Sequence, residues 1–115
     1  MRTRQAMPDA IRAMCKYDLT HYRDAQRTVR AYKEQDIADG YGKRCQRVVD
    51  CVDRVMESTD WRTQDLLDLV YLKRQLSVEA AADILEIGKT SAYAMLNNVL
   101  IDYAVSMGYV KERGQ

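Results

Sequence analysis

A chain of 115 residues is one domain, or one domain with an appended arm. Its 47% apolar and 30% charged residues, with one proline and five glycines, describe a soluble globular protein and exclude a low-complexity tail; so few breakers also argue against a sandwich or a barrel. Eighteen Lys and Arg against seventeen Asp and Glu leave a net charge of +1, so no overall basic balance announces nucleic acid, and residues 76–115 are net acidic, three cations against five carboxylates.

Residues 9–35 run without glycine or proline. Ile11, Met14, Leu19, Tyr22, Ala25, Val29 and Tyr32 recur there at spacings of mostly three and four, which lines them along one helical stripe. Asp9 after Pro8 suits a helix start, and a break is expected near Asp18–Thr20, where Asp and Thr are mediocre helix residues. The opposite face carries Arg12, Lys16, Arg23, Arg27, Arg30 and Lys33, either a solvated surface or a phosphate-facing arm. Asp39-Gly40-Tyr41-Gly42 is the clearest breaker, and it divides an N-terminal basic helical arm, 1–42, from a helical domain, 43–115. A short helix is predicted over 43–57, with Val48, Val49, Cys51, Val52, Val55 and Met56 apolar. Ser58-Thr59-Asp60 is a capping cluster that restarts the chain at Trp61. Residues 61–75 place Trp61, Leu66, Leu67, Leu69, Val70 and Leu72 on a wide buried face, with Trp61 as a core anchor and not a stacking platform for a base.

The most informative stretch begins at Ser77, an N-cap followed by Glu79 in the first turn, with Leu76 before it as a staple. Ala81, Ala82, Ile84 and Leu85 form the inner face of a helix about two turns long. Gly88 breaks it, and a second helix restarts at Lys89 or Thr90 with Ala92, Met95, Leu96, Val99, Leu100, Tyr103 and Ala104 at helical spacing. Gly108 is a suitable terminator. Two helices sharing a tight turn need small residues where their backbones approach. Ala82 and Ala92 supply them, with Ile87 filling the corner. This is the steric logic of a helix-turn-helix, whose second helix lies in the major groove of DNA. Residues 87–101 hold no carboxylate, as a surface facing phosphates requires.

The run LSVEAAADILEIGKTSAYAMLNNVLIDYA, residues 76–104, resembles the helix-turn-helix of sigma factor region four and its relatives. Residues 43–110 more loosely resemble small phage late-gene transcription regulators of the ArpU and RinA kind. The resemblance implies an all-α protein with a helix-turn-helix at about 77–107 that binds double-stranded DNA sequence-specifically in the cytoplasm of a bacterial host, as a transcription regulator and late-gene activator. It implies that Lys89, Thr90, Ser91, Tyr93, Ala94 and Asn97 face the DNA. Lys89 would bond guanine or a phosphate, Asn97 would pair with adenine, Thr90 or Ala94 would touch a thymine methyl, and Tyr93 would offer its phenol to a phosphate. Arg23, Arg27 and Arg30, with Arg2, Arg4 and Arg12, would add phosphate contacts or a dimer helix. Possible partners are RNA polymerase and a second copy, a homodimer reading half-sites about 10 base pairs apart. The chain departs from the pattern at the turn, where Glu86 stands in place of the usual glycine and predicts a differently shaped turn, and at Gly88 in place of a capping Ser or Thr.

Other classes fit less well. No apolar run reaches the roughly 18 residues of a membrane span, and no signal peptide precedes Pro8. Cys15, Cys45 and Cys51 form neither a disulfide framework nor a zinc spacing with His21, the one histidine, and read as reduced buried thiols. No cofactor, no metal and no enzymatic role is expected: there is no glycine-rich phosphate loop, and the Asp50/Asp53 and Asp65/Asp68 pairs look like solvated salt-bridge faces. The alternatives are a small DNA-packaging, terminase-like subunit and a helical protein-interaction adaptor.

Overall fold

Helices account for about three quarters of residues 7–111, the part of the chain described by the computed structural model. In chain order they are α1 (Asp9–Thr20), α2 (Tyr22–Glu34), α3 (Gly40–Glu57), α4 (Trp61–Leu67), α5 (Val78–Ile84) and α6 (Lys89–Met107). No strand occurs among the described residues, and no helix there is long and apolar enough to cross a membrane.

Side-chain caps set three of the starts. Asp39 accepts from the Gly42 amide at 2.9 Å, Asp60 from Thr63 at 2.7 Å and Ser77 from Ala80 at 3.1 Å, each satisfying an amide that has no partner within its helix. The Asp39–Gly42 breaker is therefore a cap plus a first turn, and α3 begins three residues before the expected 43. Gly42 belongs to that turn for a packing reason: a Cβ there would stand 2.5 Å from the Tyr32 ring of α2. The break near Asp18–Thr20 falls at His21, whose φ of −102° and ψ of 17° separate α1 from α2. The His21 ring stacks on Tyr17, and its Nδ1 lies 2.8 Å from the Tyr17 carbonyl; a carbonyl only accepts, so that nitrogen carries the proton.

After Leu67 the helix widens into a π turn, Asp68–Leu72, closed by the Lys73 amide donating to the Asp68 carbonyl at 2.8 Å. At 100° per residue Leu66 and Leu72 would point about 120° apart; the wider turn returns Leu72 to the buried side, where it is 7% exposed. Trp61, expected as a core anchor, is 70% exposed. It is the first residue of α4, and the core positions of that helix go to Thr63, Leu66 and Leu67.

One core runs through the molecule. Cys15 and Leu19 of α1 join Val52 of α3, Leu66 and Leu67 of α4, and Leu100, Tyr103 and Ala104 of α6 in a single buried cluster. Over its described residues the expected 1–42 arm is thus part of the body: α1 packs on α6 and α2 on α3. The apolar stripe read along 9–35 is the stripe that faces this core. Cys15, Cys45 and Cys51 are free and buried. At the centre lies a buried carboxylate. Asp18 of α1 accepts from Tyr103 Oη at 2.9 Å, from Tyr109 Oη at 2.7 Å and from Arg44 Nη2 at 3.2 Å, joining α1, α3, α6 and the segment after it.

Candidate nucleic-acid interface

α5 packs on α6, Ala81, Ala82 and Ala92 have no exposed surface, and Ile87 is half-buried in the turn between the two helices. Ile84, expected on the inner face, is 63% exposed. At 100° per residue it lies about 100° from the centre of the Ala81, Ala82 and Leu85 arc.

Glu86 takes φ 57°, the left-handed conformation that glycine usually supplies. The turn is therefore not reshaped by the missing glycine. The Glu86 amide donates to the Asp83 carbonyl at 3.2 Å and the Ile87 amide to the Ala82 carbonyl at 2.9 Å, the pair of bonds that closes a Schellman helix end. α2 ends in the same way with Asp36 at φ 54°, where the Asp36 amide reaches Lys33 and the Ile37 amide reaches Tyr32. Gly88 follows in extended conformation at φ −60°, with open space where a Cβ would stand, and its carbonyl accepts from the Ala92 amide at 2.9 Å to start α6.

Thr90, Tyr93, Ala94 and Asn97 recur at three and four residues and so share one face of α6, away from buried Ala92, Leu96 and Val99. Lys89, Thr90, Ser91, Tyr93 and Ala94 are exposed, and Asn97 is half-buried. Neighbouring elements already engage two of these side chains. Asn97 Oδ1 accepts from Arg12 Nη1 at 2.6 Å, across 85 residues of sequence. Tyr93 donates its hydroxyl to the Glu79 carboxylate of α5. That bond, with Lys89 nearby, holds the Glu79 carboxyl below its usual range, while the same bond pushes the Tyr93 phenol up. The stretch 87–101 is free of acids in sequence, but the fold sets one carboxylate beside it.

The basic residues divide by helix. Arg23, Arg27 and Arg30 lie on α2, whose packing partner is α3, and Arg27 forms an exposed ion pair with Asp24 at 2.9 Å. They are not gathered with the α6 face. Arg12, read from the sequence as one more member of the basic stripe, is the cation that α1 carries to α6, and its charge also lies beside Tyr71 of the π turn. No sequence signal ties Arg12 to Asn97. Arg2 and Arg4 lie outside the described residues. His21 is engaged by its stack on Tyr17, and no group of three or more His, Cys, Asp or Glu among the described residues is placed to hold a metal ion.

Compared with protein-family models, with curated proteins and with solved structures, the chain matches none.

Proposed function

We propose that α5, the Leu85–Gly88 turn and α6 act as a helix-turn-helix, and that the protein is a sequence-specific double-stranded DNA-binding regulator of transcription. One observation carries the reading: a short helix packs on a long one, Ala82 and Ala92 have no exposed surface, and the first turns of the long helix present Lys89, Thr90, Ser91, Tyr93 and Ala94 to solvent. A major groove admits one α-helix, and hydroxyls, an amide, a methyl and a cation are what base edges and thymine methyls accept. Asn97, seated by Arg12, completes the stripe. The late-gene activator role, RNA polymerase as a partner, a homodimer and the cytoplasm of a bacterial host come from the resemblance to the ArpU and RinA regulators.

The adaptor reading draws on a different surface. Trp61 at 70% and Ile84 at 63% exposure stand on neighbouring helices, joined where Arg62 Nη2 donates to the Leu85 carbonyl at 3.3 Å, and exposed large apolar groups mark protein contacts. Selection of duplexes from a random library at near-physiological salt separates the two. The regulator enriches a site that Lys89→Ala or Asn97→Ala loses. Absence of enrichment together with absence of salt-dependent binding overturns the DNA reading, and an adaptor keeps its function in both variants.

A further inference from the structure

Lys43, Arg47, Asp50 and Arg54 recur at four, three and four residues and so share one face of α3. With Arg44 and Ser106 they line a groove of about 510 Å³ between α3 and the C-terminal end of α6. Four cations meet one carboxylate in the lining, and Asp18, paired with Arg44, is a second, which leaves a local surplus of two in a chain whose net charge is +1. The guanidinium groups are held. Arg47 Nη2 donates to the Met107 carbonyl at 2.9 Å, Arg54 Nη1 to Ser106 Oγ at 3.2 Å, and Arg44 Nη2 to Tyr109 Oη at 3.0 Å and to Asp18. Met107 and Ser106 offer neutral oxygens, so those contacts orient Arg47 and Arg54 without neutralising them. Capping the α6 carbonyls needs one guanidinium, which Arg47 supplies. Lys43 and Arg54 are beyond that need.

We propose that this groove binds a run of linked phosphates. A guanidinium has five donors in a planar fork that matches phosphate oxygens two at a time, and each of these arginines spends one nitrogen on its protein contact. A chain of phosphates supplies several negative charges at short spacing, whereas a single carboxylate would leave half of the surplus uncompensated. The groove is separate from the candidate reading face: Ser106 is 17 residues beyond Lys89, about 26 Å along the α6 axis. The inference does not rest on α6 reading bases.

Linked phosphates come as free polyphosphate, inorganic or on a nucleotide, or as a nucleic-acid backbone. The test follows amide resonances of the isotope-labelled full chain during titration with inorganic tripolyphosphate, with a short duplex of arbitrary sequence, and with an oligoglutamate of matched charge. Tripolyphosphate is expected to give saturable shifts at Lys43, Arg47, Arg54 and Ser106. The double variant Lys43→Gln/Arg54→Gln should weaken binding about tenfold or more. Its fold is protected because Arg54 gives up one exposed bond to Ser106, and circular dichroism checks it. Asp50→Asn should tighten binding, a gain that misfolding does not produce. If the duplex also moves the groove resonances the source is a nucleic-acid backbone, and if tripolyphosphate alone does so it is a free polyphosphate. The proposal is overturned if neither phosphate ligand shifts the groove, if oligoglutamate binds as tightly, or if the shifts spread equally over Arg23–Arg30. Resonances of 89–97 report separately on the α6 reading, so either idea can fail alone.

Discussion

Replacing Asp18 with alanine tests whether one carboxylate fastens α1 to the rest of the fold. Asp18 is 4% exposed and accepts from Tyr103, Tyr109 and Arg44. Tyr103 has no exposed surface, so its hydroxyl is stranded when the carboxylate goes, and a buried donor left without a partner costs about 1–3 kcal/mol. Tyr109 is half-buried and the Arg44 side chain is 47% exposed, so water repairs those bonds and they add about 1 kcal/mol together. The sum is about 3 kcal/mol. Unfolding entropy for 115 residues is about 0.24 kcal/mol/K, so Tm should fall by about 12 °C. Urea and thermal unfolding followed by circular dichroism measure it. Adding Tyr103→Phe to Asp18→Ala removes the stranded hydroxyl and should recover about 1 kcal/mol, so the two substitutions are not additive. A loss below about 1 kcal/mol for Asp18→Ala, or additive costs in the pair, refutes the account of Asp18 as the fastening group.

Glu86→Gly should stabilise the protein by about 1 kcal/mol, because glycine adopts φ 57° without the Cβ penalty; a destabilised variant in urea unfolding would show that the Glu86 side chain contributes more than its strain costs. Trp61→Ala should change stability by less than about 0.5 kcal/mol, and native Trp61 should be quenched by acrylamide nearly as well as in the unfolded chain; strong protection from quencher would contradict its 70% exposure. Burial, then the charge of Asp18, pushes the Cys15 thiol up to about 11, and burial with the same carboxylate raises the Tyr103 phenol. The folded state keeps these protons after the unfolded chain releases them. The stability linked to Cys15 is therefore complete below pH 9.0 and lost as pH rises toward about 11, so Tm should decline over that window; a flat Tm would count against the linkage.

The all-helical fold was legible because period and punctuation agree. Asp39, Asp60 and Ser77 cap the helices that the apolar spacing outlines, and Gly108, at φ 80°, ends α6 as expected. What escaped was tertiary. A stripe such as Ile11 to Tyr32 says that a face is covered and not by what, so α1 and α2 read as an arm. Trp61 misled because ring size suggests burial, whereas a first-turn position with Leu66 and Leu67 following leaves no room for it inside. Glu86 misled in the other direction, since a glycine is expected at such a turn while the backbone bonds of the Schellman closure hold this residue left-handed. The basic groove on α3 follows a spacing of four, three and four, but a net charge of +1 over the whole chain averages it away. At the candidate interface, exposure follows from the 3.6-residue period, whereas Arg12 on Asn97 and Glu79 on Tyr93 join residues 85 and 14 positions apart.

The Arg12 bond decides what a base-reading α6 has to work with. An asparagine amide holds two lone pairs on its oxygen and two hydrogens on its nitrogen. Arg12 takes one lone pair of Asn97 Oδ1 at 2.6 Å and leaves one lone pair and both hydrogens, enough for the paired contact that adenine offers through N6 and N7. It also fixes which end of the amide is oxygen, because a guanidinium only donates. Under the DNA-reading proposal Arg12 is a positioning residue, and its removal should blur discrimination at the base pair that Asn97 reads while preference elsewhere in the site stays. A phosphate contact would behave differently: Arg12→Ala would weaken all sequences alike and lower the salt slope by about one. Affinity for a panel of single-base variants of the selected site, measured at two salt concentrations, distinguishes the two roles. A uniform loss with a reduced slope would refute the positioning role and leave Arg12 as part of the electrostatic surface.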